Sequence, residues 1–166
     1  MYDTSVPVLI KSIESLKHIL AKSVEHAKNN NLDESKMFNH KLAEDMWPLV
    51  RQVQSVSDNA KGIAARLAGV DVPSMPDNEK SFPELQERLD KTLAFLRTIK
   101  PEQVNGSEEK IVRIEAVKLE FPGKVYLLGF GLPNLFFHVT TAYSILRNFG
   151  VPLSKVDYLA AGKSFT

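Results

Sequence analysis

The chain has 166 residues, 43% hydrophobic and 25% charged, the size and composition of one globular domain spanning residues 1–166. Its 21 Lys and Arg against 20 Asp and Glu leave a net charge of +1, so neither nucleic acid nor an anionic membrane surface is an expected partner. With no cysteine, disulfides, thiolate metal sites, iron–sulfur clusters and cysteine nucleophiles are excluded.

The first residues carry Asp3 and only a short apolar run from Val6 to Ile10, too little for a secretory core, so a cytoplasmic location is expected. Val6, Leu9, Ile10, Ile13, Leu16, Leu20, Val24 and Ala27 then recur at helical spacing and predict a long amphipathic helix ending at Asn29-Asn30-Asn31. Leu32 to Ala43 is mixed, with Asp33 placed to cap a short helical turn. A second long helix is predicted from Asp45, with Met46, Leu49, Val50, Val53, Val56, Ala60, Ile63, Ala64 and Leu67 on one face. Pro48 falls in its first turn and Gly69 terminates it.

Pro73, Pro76 and Pro83 mark an extended connection. Ser81, followed by Pro83 and Glu84, opens a third helix whose buried stripe is Phe82, Leu85, Leu89, Thr92, Leu96 and Ile99, and Lys100-Pro101 ends it. The period then changes. Lys110–Ile114 and Val117–Phe121 alternate polar and apolar residues and predict a small hairpin. Helical spacing returns from Lys124 to Phe149, and Pro133 is expected to kink or break that last helix before Gly150 closes it. Its longest apolar stretch, Val125–Pro133, is about half of the ~20 residues of a membrane span. Long helices with one small β excursion predict an all-α fold, an antiparallel four-helix bundle.

Histidines are the first place to look for a metal or a general base. His18 and His26 fall off the apolar stripe of the first helix and are expected in solvent. His138 lies at the border of the stripe formed by Leu135, Val139, Ala142 and Leu146, with Asn134 one turn before it on the same flank. Asp45 and Gln52 hold a similar border position on the second long helix, so Asp45, Gln52, Asn134 and His138 converge if those two helices are neighbours. Trp47 would line the same opening, and His40, in an irregular segment, is the candidate for a second imidazole. Tyr143 fits both the core of the last helix and the wall of such a pocket. Phe137 lies nearly opposite the main stripe and needs a cover: the hairpin, another part of the fold or a second copy of the chain. Homodimerisation through the last helices is therefore expected.

Other motifs fail. Gly162-Lys163-Ser164 lacks the preceding glycine of a phosphate loop, Gly129-Phe130-Gly131 has neither a third glycine nor a strand before it, and no serine sits in a nucleophile elbow. Glu44-Asp45 and Glu108-Glu109 read as solvated charges or helix starts.

Two stretches carry a family resemblance. Leu42-Ala43-Glu44-Asp45-Met46-Trp47-Pro48-Leu49, continuing through Gln52-Val53-Gln54, Asp58, Ala60-Lys61-Gly62 and Ala65 to Gly69, resembles the DUF1993 family. So does Leu132-Pro133-Asn134-Leu135-Phe136-Phe137-His138-Val139-Thr140-Thr141-Ala142-Tyr143 with Ile145-Leu146-Arg147. The resemblance runs from Ser5-Val6-Pro7 to the tail. It implies the DinB and YfiT-like superfamily: a four-helix bundle with a crossover connection, frequently homodimeric, many members of which hold a divalent metal with three histidines. This chain departs from that pattern. It has no histidine on the second long helix, and it has Asn134 with His138 where a histidine pair would stand.

Two functions remain open at this point. In the first, the chain is a small-molecule-binding or structural homodimer. Asp45, Gln52, Asn134 and His138 then form a polar network at the superfamily's metal-site position, with Trp47 and Tyr143 at the pocket. In the second, it is a metal-dependent or acid/base transferase or isomerase, in which His138 ligates zinc, nickel or iron, or moves a proton, aided by Asp45 and Asn134.

Overall fold

The computed structural model of the protein describes residues 1–115 and 118–163. Helix α1 (Val6–Asn29) begins over Pro7 and buries Leu9, Ile13, Leu16 and Leu20, the stripe its spacing predicts. The Asp33 carboxylate accepts from the amides of Ser35 and Lys36 and caps the short α2 (Glu34–Phe38). Helix α3 runs Leu49–Ala68. Its start lies four residues after the expected one, because a residue before proline is driven out of the helical region. Trp47 therefore stays outside the helix and Pro48, extended at ψ 168°, becomes the cap. Gly69 ends α3 in the left-handed conformation at φ 71°, where only glycine sits without strain.

Helix α4 (Phe82–Thr98) is capped by the Ser81 hydroxyl, which accepts from the Glu84 amide. The short α5 (Pro101–Val104) leads to the hairpin of β1 (Ile111–Ile114) and β2 (Leu119–Pro122), antiparallel with Ile111 opposite Pro122 and Ile114 opposite Leu119. Ala116 and Val117, placed by the sequence in the turn and the second strand, lie outside the described residues, as does Ser164. Then α6 (Gly123–Val125), a π-helical turn (Tyr126–Gly131) and α7 (Leu132–Asn148) join into one helical rod, and α8 (Lys155–Ala160) closes the described chain.

The expected break at Pro133 is replaced by that π turn. Proline supplies no amide to the preceding turn and its ring collides with the carbonyl four residues back, here Gly129. The widened turn sits immediately before Pro133 and absorbs both effects without interrupting the helix. Gly131 lets the rod lie against α3, since a methyl there would sit 3.0 Å from Ile63 Cγ1. Gly123 does the same at the start of the rod, where a methyl would overlap the Ser107 carbonyl oxygen.

Helices α1, α4, α3 and α7 pack in that order, and α8 bridges α1 to α7. Cross-links give the directions. Arg97 pairs with Glu14 and Gln86 with the Lys17 carbonyl, so α1 and α4 run antiparallel. Gln52 meets His138, Asn59 meets Asn134 and Arg66 meets Tyr126, so α3 and α7 also run antiparallel. Neighbouring α3 and α4 instead run parallel: Phe38 packs on Phe82 while the His40 carbonyl holds the Leu49 amide, bringing both helix starts to one end. Residues 70–81 must therefore travel back along the whole of α3. Its 20 residues span ~30 Å, within the ~40 Å reach of an extended dozen. Fourteen of the 20 residues of α3 are buried, because α4, α7 and the crossover cover it on several sides at once.

A polar triad and an aromatic slot on the α3/α7 seam

The seam between α3 and α7 carries polar rungs at Gln52, Asn59 and Arg66, spaced seven residues apart on α3. Seven residues is nearly two helical turns, so all three fall on one flank, beside the apolar face and not within it. The Asn134 Nδ2 amide donates to Asn59 Oδ1 at 2.6 Å, and Asn59 Nδ2 donates to the Ser55 carbonyl. Arg66 Nη1 donates to the Tyr126 hydroxyl at 3.2 Å. Burial raises the pKa of that phenol, and Arg66 offsets part of the rise.

The remaining rung is the chemically distinctive one. His138, 7% exposed, has its Nδ1 2.7 Å from Gln52 Oε1, while Gln52 Nε2 donates to the Trp47 carbonyl at 3.2 Å. The amide nitrogen is committed to a carbonyl, so the amide oxygen faces the imidazole as an acceptor. His138 Nδ1 must then carry the proton and Nε2 keeps its lone pair. Nε2 has no protein partner among the described residues and is not sealed from solvent. Burial, and then the charge of Arg51, lower the His138 pKa from its ordinary value and favour the neutral ring.

Aromatic rings surround this imidazole. Trp47 stacks on it at a centroid distance of 6.0 Å and an interplanar angle of 9°, and Phe137 meets it edge-on at 5.2 Å. Both are well exposed themselves, at 50% and 57%. The Arg51 guanidinium lies 5.1 Å from the Trp47 ring centre and is paired with Asp77. Beside this slot, Trp47, Pro48, Arg51, Phe38 and Lys80 line a surface cleft of about 680 Å³.

The four expected polar residues do not all converge. Gln52 and His138 meet. Asn134 lies one turn away and is taken by Asn59. Asp45 stays exposed in the turn ahead of α3, a consequence of the late helix start. Tyr143 faces α8, where its hydroxyl donates to the Leu153 carbonyl and its ring packs edge-on against Tyr158. His40 donates to Asn148 Oδ1 and packs on Phe149, and His26 is half-buried beside Asn30. His18, expected in solvent, instead binds the buried Asp157 carboxylate at 2.8 Å together with Lys22. Burial pushes Asp157 up, but bonds from His18, Ser154 and Lys22 outweigh it and hold the carboxyl far below its ordinary range.

The residues present do not fit a tri-histidine metal site. One imidazole stands among neutral amides, which are weak donors for zinc, nickel or iron. Gln52 Oε1 is occupied by His138, and Asn134 presents its NH2 to Asn59. No group of three or more His, Asp or Glu among the described residues is arranged to hold a metal ion.

A second polar cluster escaped the sequence reading because its members are far apart in the chain. Arg88 on α4, 3% exposed, pairs with Asp58 of α3 at 2.7 Å and with Asp77 and Glu79 of the crossover at 2.9 Å each. It also donates to the Pro76 carbonyl, leaving only its Nε without a partner. Lys61 neutralises Asp58 from the other side. Burial raises the Glu79 pKa, but bonds from Arg88 and Gln54 overcome this and lower it overall. The cluster clamps the crossover to α3 and α4.

The model for the domain of unknown function DUF1993 matches residues 1–159. A crystal structure of a DinB family member from Shewanella denitrificans is 32% identical over 99% of this chain and 94% of its own, with a TM-score of 0.92. No curated protein matches the chain. The crossover bundle, the hairpin before the last helix and these matches agree, and the chain belongs to the DUF1993 family within the DinB-like superfamily of helix bundles.

Proposed function

We propose that this chain is a small-molecule-binding bundle protein of the cytoplasm, in which His138 acts as a neutral hydrogen-bond acceptor at the superfamily's metal-site position. The observation that carries this reading is the Gln52–His138 bond. It fixes the proton on Nδ1 and leaves Nε2 unpartnered beside the exposed rings of Trp47 and Phe137. Such a nitrogen, on a ring that burial keeps uncharged, accepts a hydrogen bond without first having to lose a proton. Elemental analysis of tag-free protein together with 15N NMR of its histidines tests the reading. The expected result is no stoichiometric transition metal and a neutral Nδ1–H tautomer for His138. Stoichiometric zinc, nickel or iron that disappears in His138→Ala would overturn it.

The same free Nε2 supports a second reading, a metal-independent enzyme in which His138 removes a proton from its substrate. Asp45, expected to assist it, is exposed in the turn before α3. Chemical change of a bound ligand that is lost in His138→Gln separates catalysis from binding.

We propose further that two copies pair through the outer side of the α6–α7 rod. Val125, Leu128 and Phe136 are exposed there, more apolar surface than isolated residues account for. Light scattering should return twice the chain mass, and Leu128→Glu with Phe136→Glu should return the monomer. A monomeric parent protein would refute the pairing.

A further inference from the structure

The proposed reading of His138 limits what a ligand there can be, and the inference that follows rests on that reading. With Nδ1–H committed to Gln52, the imidazole offers Nε2 only as an acceptor, so the ligand must supply the donor. The walls are flat. Trp47 lies nearly parallel to the imidazole at 9°, Phe137 stands at 81° to it, and each leaves half or more of its surface open. Rings of this kind reward a planar aromatic partner by stacking and edge contacts.

Charge is the remaining criterion. The nearest guanidinium, Arg51, is already paired with Asp77 and engaged with the Trp47 ring. Asp45, the carboxylate expected to serve the opening, is exposed in the turn before α3 and makes no bond to His138. A ligand anion would therefore meet a neutral acceptor nitrogen, and a ligand cation would lie close to Arg51 with no carboxylate free to compensate it.

We infer that the slot formed by Trp47, Phe137 and His138 takes a neutral aromatic ring bearing an O–H or N–H donor, of the phenol or indole class, which donates to His138 Nε2 while packing on the two rings.

Trp47 is the only tryptophan in the chain, so its emission reports the slot directly. The full-length protein is titrated with phenol, with anisole (the same ring with its donor methylated) and with benzoate, following Trp47 fluorescence and the histidine 15N resonances together. Phenol is expected to change Trp47 emission saturably in the millimolar range and to shift the His138 Nε2 resonance. Anisole should bind about tenfold more weakly, the factor that one hydrogen bond of ordinary strength carries. Phe137→Ala, at an exposed position that leaves the core intact, should weaken phenol binding several-fold. Anisole or benzoate binding as tightly as phenol overturns the inference, as does phenol leaving the His138 Nε2 resonance unmoved. Either result, in a protein whose His138 is the neutral Nδ1–H tautomer, sinks the ligand class alone. An Nε2–H tautomer or stoichiometric metal before any probe is added sinks both the inference and the reading beneath it.

Discussion

Arg88→Met tests whether the crossover is held by charge. Methionine fills most of the volume, so the perturbation is chiefly the removal of a buried cation from Asp58, Asp77 and Glu79. Breaking a buried ion pair costs ~3–5 kcal/mol, because the surviving charge is stranded. The partners here are unequal. The Glu79 side chain is only 8% exposed, whereas Asp58 and Asp77 are 39% and 33% exposed and keep Lys61 and Arg51. Most of the penalty therefore falls on Glu79, and the low end of the range, ~3 kcal/mol, is expected. For a chain of this length that lowers Tm by roughly 6–12 °C.

The pH dependence follows from the sign of the Glu79 shift. Its folded pKa lies below its unfolded value, so its contribution to stability is fully present above the unfolded pKa and is lost as pH falls through the folded one. Urea unfolding should give the full Arg88→Met penalty at pH 7. The penalty should shrink as the solution is made acidic, because burial without Arg88 raises the pKa of the stranded carboxyl and it takes up a proton in the folded variant. A penalty under ~1 kcal/mol at pH 7, or one equal at pH 7 and pH 3.5, would show that the clamp is not electrostatic.

Gln52→Leu should destabilise by ~1–3 kcal/mol by leaving His138 Nδ1–H and the Trp47 carbonyl without partners. 15N spectra should then show mixed His138 tautomers, and a single unchanged Nδ1–H form would refute the lock. Asp157→Asn removes a carboxylate whose pKa is held far down by His18, Ser154 and Lys22, so its stabilisation is present above pH ~4 and fades only in strong acid. Amide exchange at neutral pH should quicken in α8 before it does in α3; a protected α8 would place its anchor elsewhere. Gly123→Ala should cost ~1–3 kcal/mol by overlap with the Ser107 carbonyl, while Gly129→Ala, with its nearest neighbour 3.9 Å away, should be neutral or slightly stabilising. Equal thermal shifts for the two would contradict the packing account.

The helices were legible where one side of the stripe decides burial. Leu9, Ile13, Leu16 and Leu20 fix α1, and the Asp33 and Ser81 caps and Gly69 mark boundaries, because those signals are local. Asp45 was misplaced for an equally local reason, since the restriction that Pro48 imposes on Trp47 outweighs a helical pattern read through it. His138 and Gln52 could be paired from their border positions on adjacent helices. Asn59 could not, because which amide Asn134 meets depends on the relative height of α3 and α7. The π turn was out of reach as well, because a proline in a helical pattern predicts a defect but not its form. Arg88 was invisible for a deeper reason. Its partners come from α3 and from a proline-marked connection, and nothing in their spacing says that this connection folds back over the arginine.

That connection also governs how the chain can assemble. A bundle of up-and-down helices zips together from successive hairpins, each closing a short loop. Here α1 docks on α4 and α3 on α7, while the neighbours in sequence, α3 and α4, lie side by side pointing the same way. The consecutive antiparallel pair, α1 and α3, shares only a smaller contact, and the extensive antiparallel interfaces join helices far apart in sequence. The entropy of closing connections more than fifty residues long, residues 30–81 between α1 and α4 and 69–131 between α3 and α7, must be met before the core contacts that reward it exist. Refolding should accordingly be slower than for a sequentially paired bundle of equal size and stability, with the α3/α7 seam and the α1/α4 face forming in one cooperative step.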